Sequence, residues 1–285
     1  MSLPFSETSG YLPGPNGDLY GTLYLPRAAA TDTAVIVVEP FGEEKKCAYR
    51  LLVRLARAIA ACGIPVLRFD LSGTGDSPGE PGPADFAGWC AEVQAAAAFV
   101  RQQTSIAAWC PIGVRFGALP ALQAGVELPP RAMVLLEPVL SGDEFLRDLE
   151  RRQKIKDMMS GQRDDTAAAS RWQAGEAVDF GGVAVSARLA GQLVGVEAGE
   201  MVAKLAPACA LQVIRVSGSA KLPPAWQPLV DATVARPPGR TTVVPDKPFW
   251  GQLEYYESDA VIEAVLPFLG DALQVTVPQP GESVA

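Results

Sequence analysis

No histidine occurs anywhere in the 285-residue sequence. Imidazole is therefore unavailable as general base, proton shuttle or metal ligand, and every mechanism that needs one is excluded. Cysteine is scarce as well: the five present, Cys47, Cys62, Cys90, Cys110 and Cys209, are odd in number and show no CxxC spacing. That argues against a disulfide framework and against a zinc site. No metal and no cofactor is expected, and a reducing, cytoplasmic setting fits the thiols. Basic residues are in deficit, with Lys+Arg 24 against Asp+Glu 32 and a formal charge of −8, so nucleic acid and anionic membrane surfaces are not expected partners. No apolar run reaches the length of a membrane span, and the first residues, MSLPFSETSGYLPG, lack the charged and then apolar regions of a secretory signal. The expectation is an unexported protein with one domain over residues 1–285, the question of a homo-oligomer being left open.

What is present is an alternation of strand and helix patterns. YLPGPNGDLYGTLYLP reads as two short strands around an Asn16-Gly17 turn, since both residues tolerate the positive φ of a hairpin. Val35 to Val38 in TAVIVVEPFGEE form a β-branched run suited to a strand buried on both faces. In AYRLLVRLARAIAACG, Leu51, Leu52, Leu55, Ile59 and Ala60 share one helical stripe that stops at Gly63. IPVLRFDLSGTGDSPGEPG repeats strand and Gly/Pro-rich loop, ADFAGWCAEVQAAAAFVRQQ is the next helix, and SIAAWCPIGVRFGALPALQAG supplies a third strand, a sharp turn and a helix. RAMVLLEPVLSGDEF is a fourth strand ending near Glu137-Pro138. This rhythm predicts a mostly parallel sheet with helices on both faces, preceded by an antiparallel hairpin.

The rhythm breaks from about Asp143 to Val202. Charged helical sequence, RDLERRQKIKDMMSGQRDD, gives way to a Gly/Ala-rich stretch whose one strand-like part is GGVAVSARLAG, and residues 143–202 are read as an inserted helical cap. PACALQVIRVSGS and GRTTVVPDKPFWG return to strand, SDAVIEAVLPFLGD is a final helix, and 276–285 is expected to be a flexible tail.

Within CPIGVRFGALPA the frame Gly113-x-Arg115-x-Gly117 is that of a nucleophile elbow, with arginine where the nucleophile should stand. A hairpin, a strand ending at Phe41-Gly42, a strand ending in Asp70-x-x-Gly73-x-Gly75-x-Ser77, an elbow, a cap and two late strands together resemble the α/β-hydrolase fold over residues 10–270. More narrowly, EPFGEEKK, FDLSGTGDSPGE, GVRFGALPAL, LLEPVLSGDEFL and KPFWGQLE resemble the exosortase A system-associated hydrolase 2 family. That family accompanies bacterial exopolysaccharide and PEP-CTERM sorting loci, and its members tend to carry Gly-x-Arg-x-Gly at the elbow. The resemblance implies a three-layer α/β-hydrolase fold and an envelope-polysaccharide setting.

The residues do not support the reaction that such a fold usually carries. An elbow needs its flanking glycines, Gly113 and Gly117, because the turn has no room for Cβ atoms. A guanidinium, however, stays protonated and has no lone pair for a carbonyl carbon. The base position after the last strand reads Asp246-Lys247-Pro248-Phe249-Trp250, without histidine, and VSGSAKLPPAWQPLV, where the acid should follow, has no carboxylate. Glu137 is the nearest alternative acid.

Two roles are open to Arg115. With the amides of Phe116 and of the Phe41-Gly42 loop, at the start of the following helix, it can make a pocket for an anionic or acylated small molecule, with Trp250 at the mouth. It can equally pair with Glu43, Glu44 or Glu137 in a buried ion pair. The unorthodox catalytic alternatives are Lys247 as a base made available by desolvation, Glu137, Glu43 or Glu44 as acid or base, and Ser217 or Ser141 as nucleophile. The Gly73-x-Gly75 loop opens no helix and is read as structural, with Asp70 and Asp76 satisfying turn amides. Cys110 is read as an inert buried thiol, Phe249 as core, and RDLERRQKIK as a solvated cap face. The expectation is a hydrolase scaffold without its triad that binds rather than cleaves, against the alternative of an unorthodox hydrolase or acyltransferase.

Overall fold

The apolar runs become sheet because each can be buried on both faces. The computed structural model describes residues 3–79, 85–160, 167–236, 238–250 and 254–277. In chain order the elements are β1 (Phe5–Gly14), β2 (Gly17–Pro26), β3 (Thr33–Val38), α1 (Glu43–Ala61), β4 (Val66–Phe69), α2 (Phe86–Thr104), β5 (Ala108–Val114), α3 (Ala118–Glu127) and β6 (Ala132–Leu136). There follow α4 (Gly142–Ser160), α5 (Ala168–Gln173), β7 (Val178–Asp179), β8 (Ala184–Val185), α6 (Ala187–Leu193) and α7 (Ala198–Lys204). The chain closes with β9 (Ala210–Val216), α8 (Gln227–Val234), β10 (Gly239–Val244) and α9 (Asp259–Leu273). An eight-stranded sheet has the order β1-β2-β4-β3-β5-β6-β9-β10, and β2 alone runs against its neighbours.

Alternation along the central strands divides the core in two. Ala34, Ile36 and Val38 of β3, Met133 and Leu135 of β6 and Leu211 and Val213 of β9 pack on the side of α2, α3, α7 and α8. Val35 and Val37, Val134 and Leu136, and Ile214 and Val216 pack on α1 and α9. The stripe expected on α1 is there: Leu51, Leu52, Leu55, Ile59 and Ala60 are fully buried. Gly63, at φ 82, ends the helix by donating its N–H to Ala60 O (3.0 Å).

The structure corrects three local expectations. The hairpin register pairs Gly14 with Gly17, so the loop is Pro15-Asn16 and Gly17, at φ 138, opens the second strand. In GGVAVSARLAG only Ala184–Val185 is strand, paired with Val178–Asp179; Ser186 caps α6 by accepting the Leu189 N–H (3.0 Å), which turns the rest helical. In the Gly73-x-Gly75 loop the Asp70 carboxylate accepts the Asp76 N–H (2.8 Å) and takes Lys45 Nζ, so Asp76 takes part through its backbone amide. Between β6 and β9 the chain runs through α4 to α7, from Gly142 to Lys204. Of the expected tail, residues 278–285 lie outside the described residues.

The glycines at the turn after β5 are dictated by space. A Cβ on Gly113 would meet Ala118 Cα at 2.5 Å, and one on Gly117 would meet Val38 O at 2.4 Å and Glu39 O at 2.5 Å. No side chain fits there without moving β3. Gly117→Ala is expected to cost about 3 kcal/mol in urea unfolding. Gly191→Ala, in α6 with open space around it, is expected to change stability by less than about 1 kcal/mol, in the stabilising direction.

Candidate functional site

The buried run of β5 ends at Val114 and the next residue turns sharply: Arg115 sits at φ 52, a left-handed conformation unusual for a residue with a Cβ. A single 3-10 turn, Arg115–Gly117, leads into α3. Phe116 anchors the turn. Its ring is fully buried and packs on Phe145 of α4 (centroids 4.5 Å), Phe41 (5.5 Å) and Trp89 of α2 (5.7 Å). The elbow, the loop after β3 and the cap helix thus share one aromatic cluster.

Above this cluster, between the C-terminal ends of the strands and α4, lies a cavity of about 420 Å³. Arg115 reaches into it and is held on three sides. Its Nε and Nη2 donate to the two carboxylate oxygens of Glu44 (3.0 and 3.1 Å), its Nη1 donates to Glu137 O (3.3 Å), and its guanidinium stacks on Trp250 at 4.6 Å from the ring centroid. This is a forked, charge-assisted pair at low exposure, 13% for Arg115 and 8% for Glu44. Glu44 in turn accepts from Arg152 of α4 (2.9 Å), which also pairs with Asp148 (2.6 Å). Beside it Lys156 of α4 pairs with Glu43 (2.8 Å). One carboxylate on the first turn of α1 therefore ties the elbow to the cap.

Glu137, directly after β6, also has a positive φ, 46°. Its N–H donates to Ile214 O (2.6 Å) and its carboxylate accepts the Val216 N–H (2.6 Å), so the residue is clasped by β9. Burial pushes its carboxyl up to about 7, against the opposing pull of the Val216 amide and of Arg115 and Arg215.

The sequence-derived residues separate into two groups. Phe41, Gly42, Glu43, Glu44, Arg115, Glu137 and Trp250 all line the cavity. The Phe116 ring is committed to the cluster beneath, and the role expected of this residue was that of its backbone amide. Lys247 is exposed and lies outside the cavity walls. Ser141 Oγ accepts the Glu144 N–H (3.1 Å) at the start of α4, and Ser217 Oγ accepts the Ser219 N–H (3.1 Å). Both hydroxyls serve turns and neither lines the cavity. Cys110 is fully buried, and burial raises its thiol well above the usual range, which leaves it protonated. Phe249 is core.

Sequence reasoning missed Phe145, Asp148, Arg152, Phe180 and Trp226, all cavity residues. The Asp148/Arg152 spacing was a visible i, i+4 signal, but their place over Glu44 depends on how α4 crosses the strand ends. Among the described residues no cluster of three or more acidic or cysteine side chains is arranged to hold a metal ion, and no helix is long and apolar enough to cross a membrane.

Comparison with known proteins supports the architecture. No protein-family model matches the sequence and no curated protein matches it. Solved structures do match. Est1E from Butyrivibrio proteoclasticus with ferulic acid bound aligns over 93% of this chain and 99% of its own, with TM-score 0.69 and 16% identity. The complex of DcsB with its substrate analogue aligns over 94% and 100%, with TM-score 0.61 and 16% identity. An esterase from Pyrococcus furiosus aligns over 95% and 92%, with TM-score 0.59 and 14% identity. The fold is that of the α/β-hydrolases. At these identities the likeness concerns fold alone.

Two outcomes are expected. Arg115→Ala removes the Glu44 fork, the carbonyl bond and the Trp250 stack together, and should lower stability by about 3 kcal/mol in urea unfolding. For Glu137 the native carboxyl titrates near 7 rather than the ordinary 4.5, so between those values the native state binds more protons than the unfolded state. Its contribution is then fully present below pH 4.5, falls as pH rises and levels off above 7, by about 3 kcal/mol in all. Glu137→Gln, which cannot ionise, should lack this decline when the two proteins are unfolded side by side from pH 4.5 to 8.

Proposed function

We propose that this chain is a hydrolase-fold protein of the exosortase-associated type that binds an anionic or acylated small molecule beneath its cap without cleaving it. One observation carries the reading: among the described residues that line the cavity, none bears a hydroxyl, thiol or imidazole. The elbow position, which in a hydrolase presents the nucleophile, presents a guanidinium already bound to Glu44. The walls suit an amphipathic guest. Phe41, Phe145, Phe180, Trp226 and Trp250 offer apolar and aromatic surface, and Arg115, Arg151, Arg152 and Lys156 offer cations. The resemblance of the sequence motifs to those of the exosortase-associated hydrolases favours a ligand or partner from envelope-polysaccharide assembly.

A second reading has its own support. Glu137 lines the same cavity with a carboxyl that titrates near 7, a value suited to general acid–base work, and water or a substrate hydroxyl would then be the nucleophile.

The deciding experiment is turnover of short- and medium-chain p-nitrophenyl esters and acyl thioesters by purified protein, beside Arg115→Ala, Lys247→Ala and Glu137→Gln prepared identically. Rates indistinguishable from buffer in all four proteins are expected. Wild-type turnover abolished by Glu137→Gln would establish the second reading in place of the first.

A further inference from the structure

The Glu44 carboxylate receives three N–H donors from two arginines, Nε and Nη2 of Arg115 (3.0 and 3.1 Å) and Nη2 of Arg152 (2.9 Å). The Arg115 fork grips both oxygens in the planar, paired geometry by which guanidinium recognises a carboxylate. Glu44 lines the cavity, as do both arginines. Arg152 keeps Asp148 as a second partner, and Glu44 stands in the first turn of α1, where free amides stabilise a carboxylate even without an arginine. Exchange of this carboxylate for another would therefore leave Arg115 and Arg152 paired, with Glu44 keeping the favourable field of the helix N-terminus. The same cavity is also lined by Val139, Leu149, Phe180, Val183, Trp226 and Trp250, an apolar surface of which Trp250 stacks on Arg115.

We propose that Arg115 and Arg152 form a carboxylate clamp whose resident occupant is Glu44, and that the ligand is a monocarboxylate with an apolar body, its carboxylate taking the place of Glu44 on Arg115. This rests on the reading of the cavity as a binding site and gives its ligand a chemical class. Like for like exchange at the clamp is nearly neutral, so burial of the apolar body drives binding. Displacing Glu44 also loosens its bond to Arg152, so the hold of α4 on the core depends on which carboxylate fills the clamp.

The test uses full-length protein and three probes, sodium octanoate, sodium acetate and 1-octanol, at ionic strength held constant with sodium chloride because exposed charge effects are screened. Wild type, Glu44→Ala and Glu44→Ala/Arg115→Met are compared by calorimetry and by melting temperature. Removing the resident carboxylate should tighten octanoate binding about tenfold or more over wild type, and loss of Arg115 should abolish that gain. Acetate, too small to use the apolar wall, should raise the melting temperature of Glu44→Ala and not of the double variant. If Glu44→Ala does not fold, Glu44→Gln, which keeps the size and loses the charge, carries the same comparisons. No gain in octanoate affinity, or a gain that survives the loss of Arg115, overturns the clamp. Octanol binding to wild type reports the apolar cavity alone, so octanol binding without any carboxylate gain sinks the clamp and spares the cavity. Acetate rescue of Glu44→Ala without octanol or octanoate binding upholds the clamp while removing the apolar ligand.

Discussion

The forked pair between Arg115 and Glu44 is the interaction on which the site depends. A permanent cation stands at the mouth of a strand-to-helix turn, where water is largely excluded and an unpaired charge would be costly. Glu44 neutralises it from the first turn of α1, a position that already favours a carboxylate. Because the same carboxylate accepts Arg152 of α4, the elbow, the helix after β3 and the cap are held by one group. Trp250 closes the remaining side by stacking on the guanidinium. The loop after β10, which brings the base of the triad in an α/β-hydrolase, here supplies an aromatic lid for an arginine.

The shape of the turn at Arg115 has reasons in packing alone. Gly113 and Gly117 are required by the close approach of Ala118 and of the β3 carbonyls, and that approach is how α3 packs on the sheet. The φ of 52 at Arg115 is then a consequence of the turn, whatever side chain stands there. Phe116 reinforces the geometry by joining Phe41, Trp89 and Phe145, which ties the turn to the loop after β3 and to α4.

Charge is handled the same way at the neighbouring strand ends. Glu39 after β3 pairs with Arg68 of β4 (2.5 Å) and lies 3.5 Å from Lys45, which also holds Asp70. These groups fasten the loops after β3 and β4 to α1, in a buried network without access to the cavity. Carboxylates therefore do structural work on both sides of Arg115, and Glu137 is clasped by the amide of Val216.

The sequence by itself determined the architecture. A continuous apolar run at Val35–Val38, a helical stripe through Leu51, Leu55 and Ile59, and a glycine at 63 each impose a local geometry that needs no distant partner, and the glycines at 113 and 117 mark the tight turn between β5 and α3. It also determined what the protein lacks, since no fold can supply a histidine that is absent. Tertiary structure decided the rest. Arg115 was visible, but the choice of Glu44 over Glu43 and Glu137 followed from where α1 begins relative to β5, and Glu43 turned outward to Lys156. Lys247 was set in solvent, away from the cavity, by the path of its loop. Arg152, 108 residues from Glu44 in the chain, joined the site only because α4 crosses the strand ends. Local geometry is written in spacing along the chain, whereas pairings of charge across it depend on how rigid elements come to rest against one another.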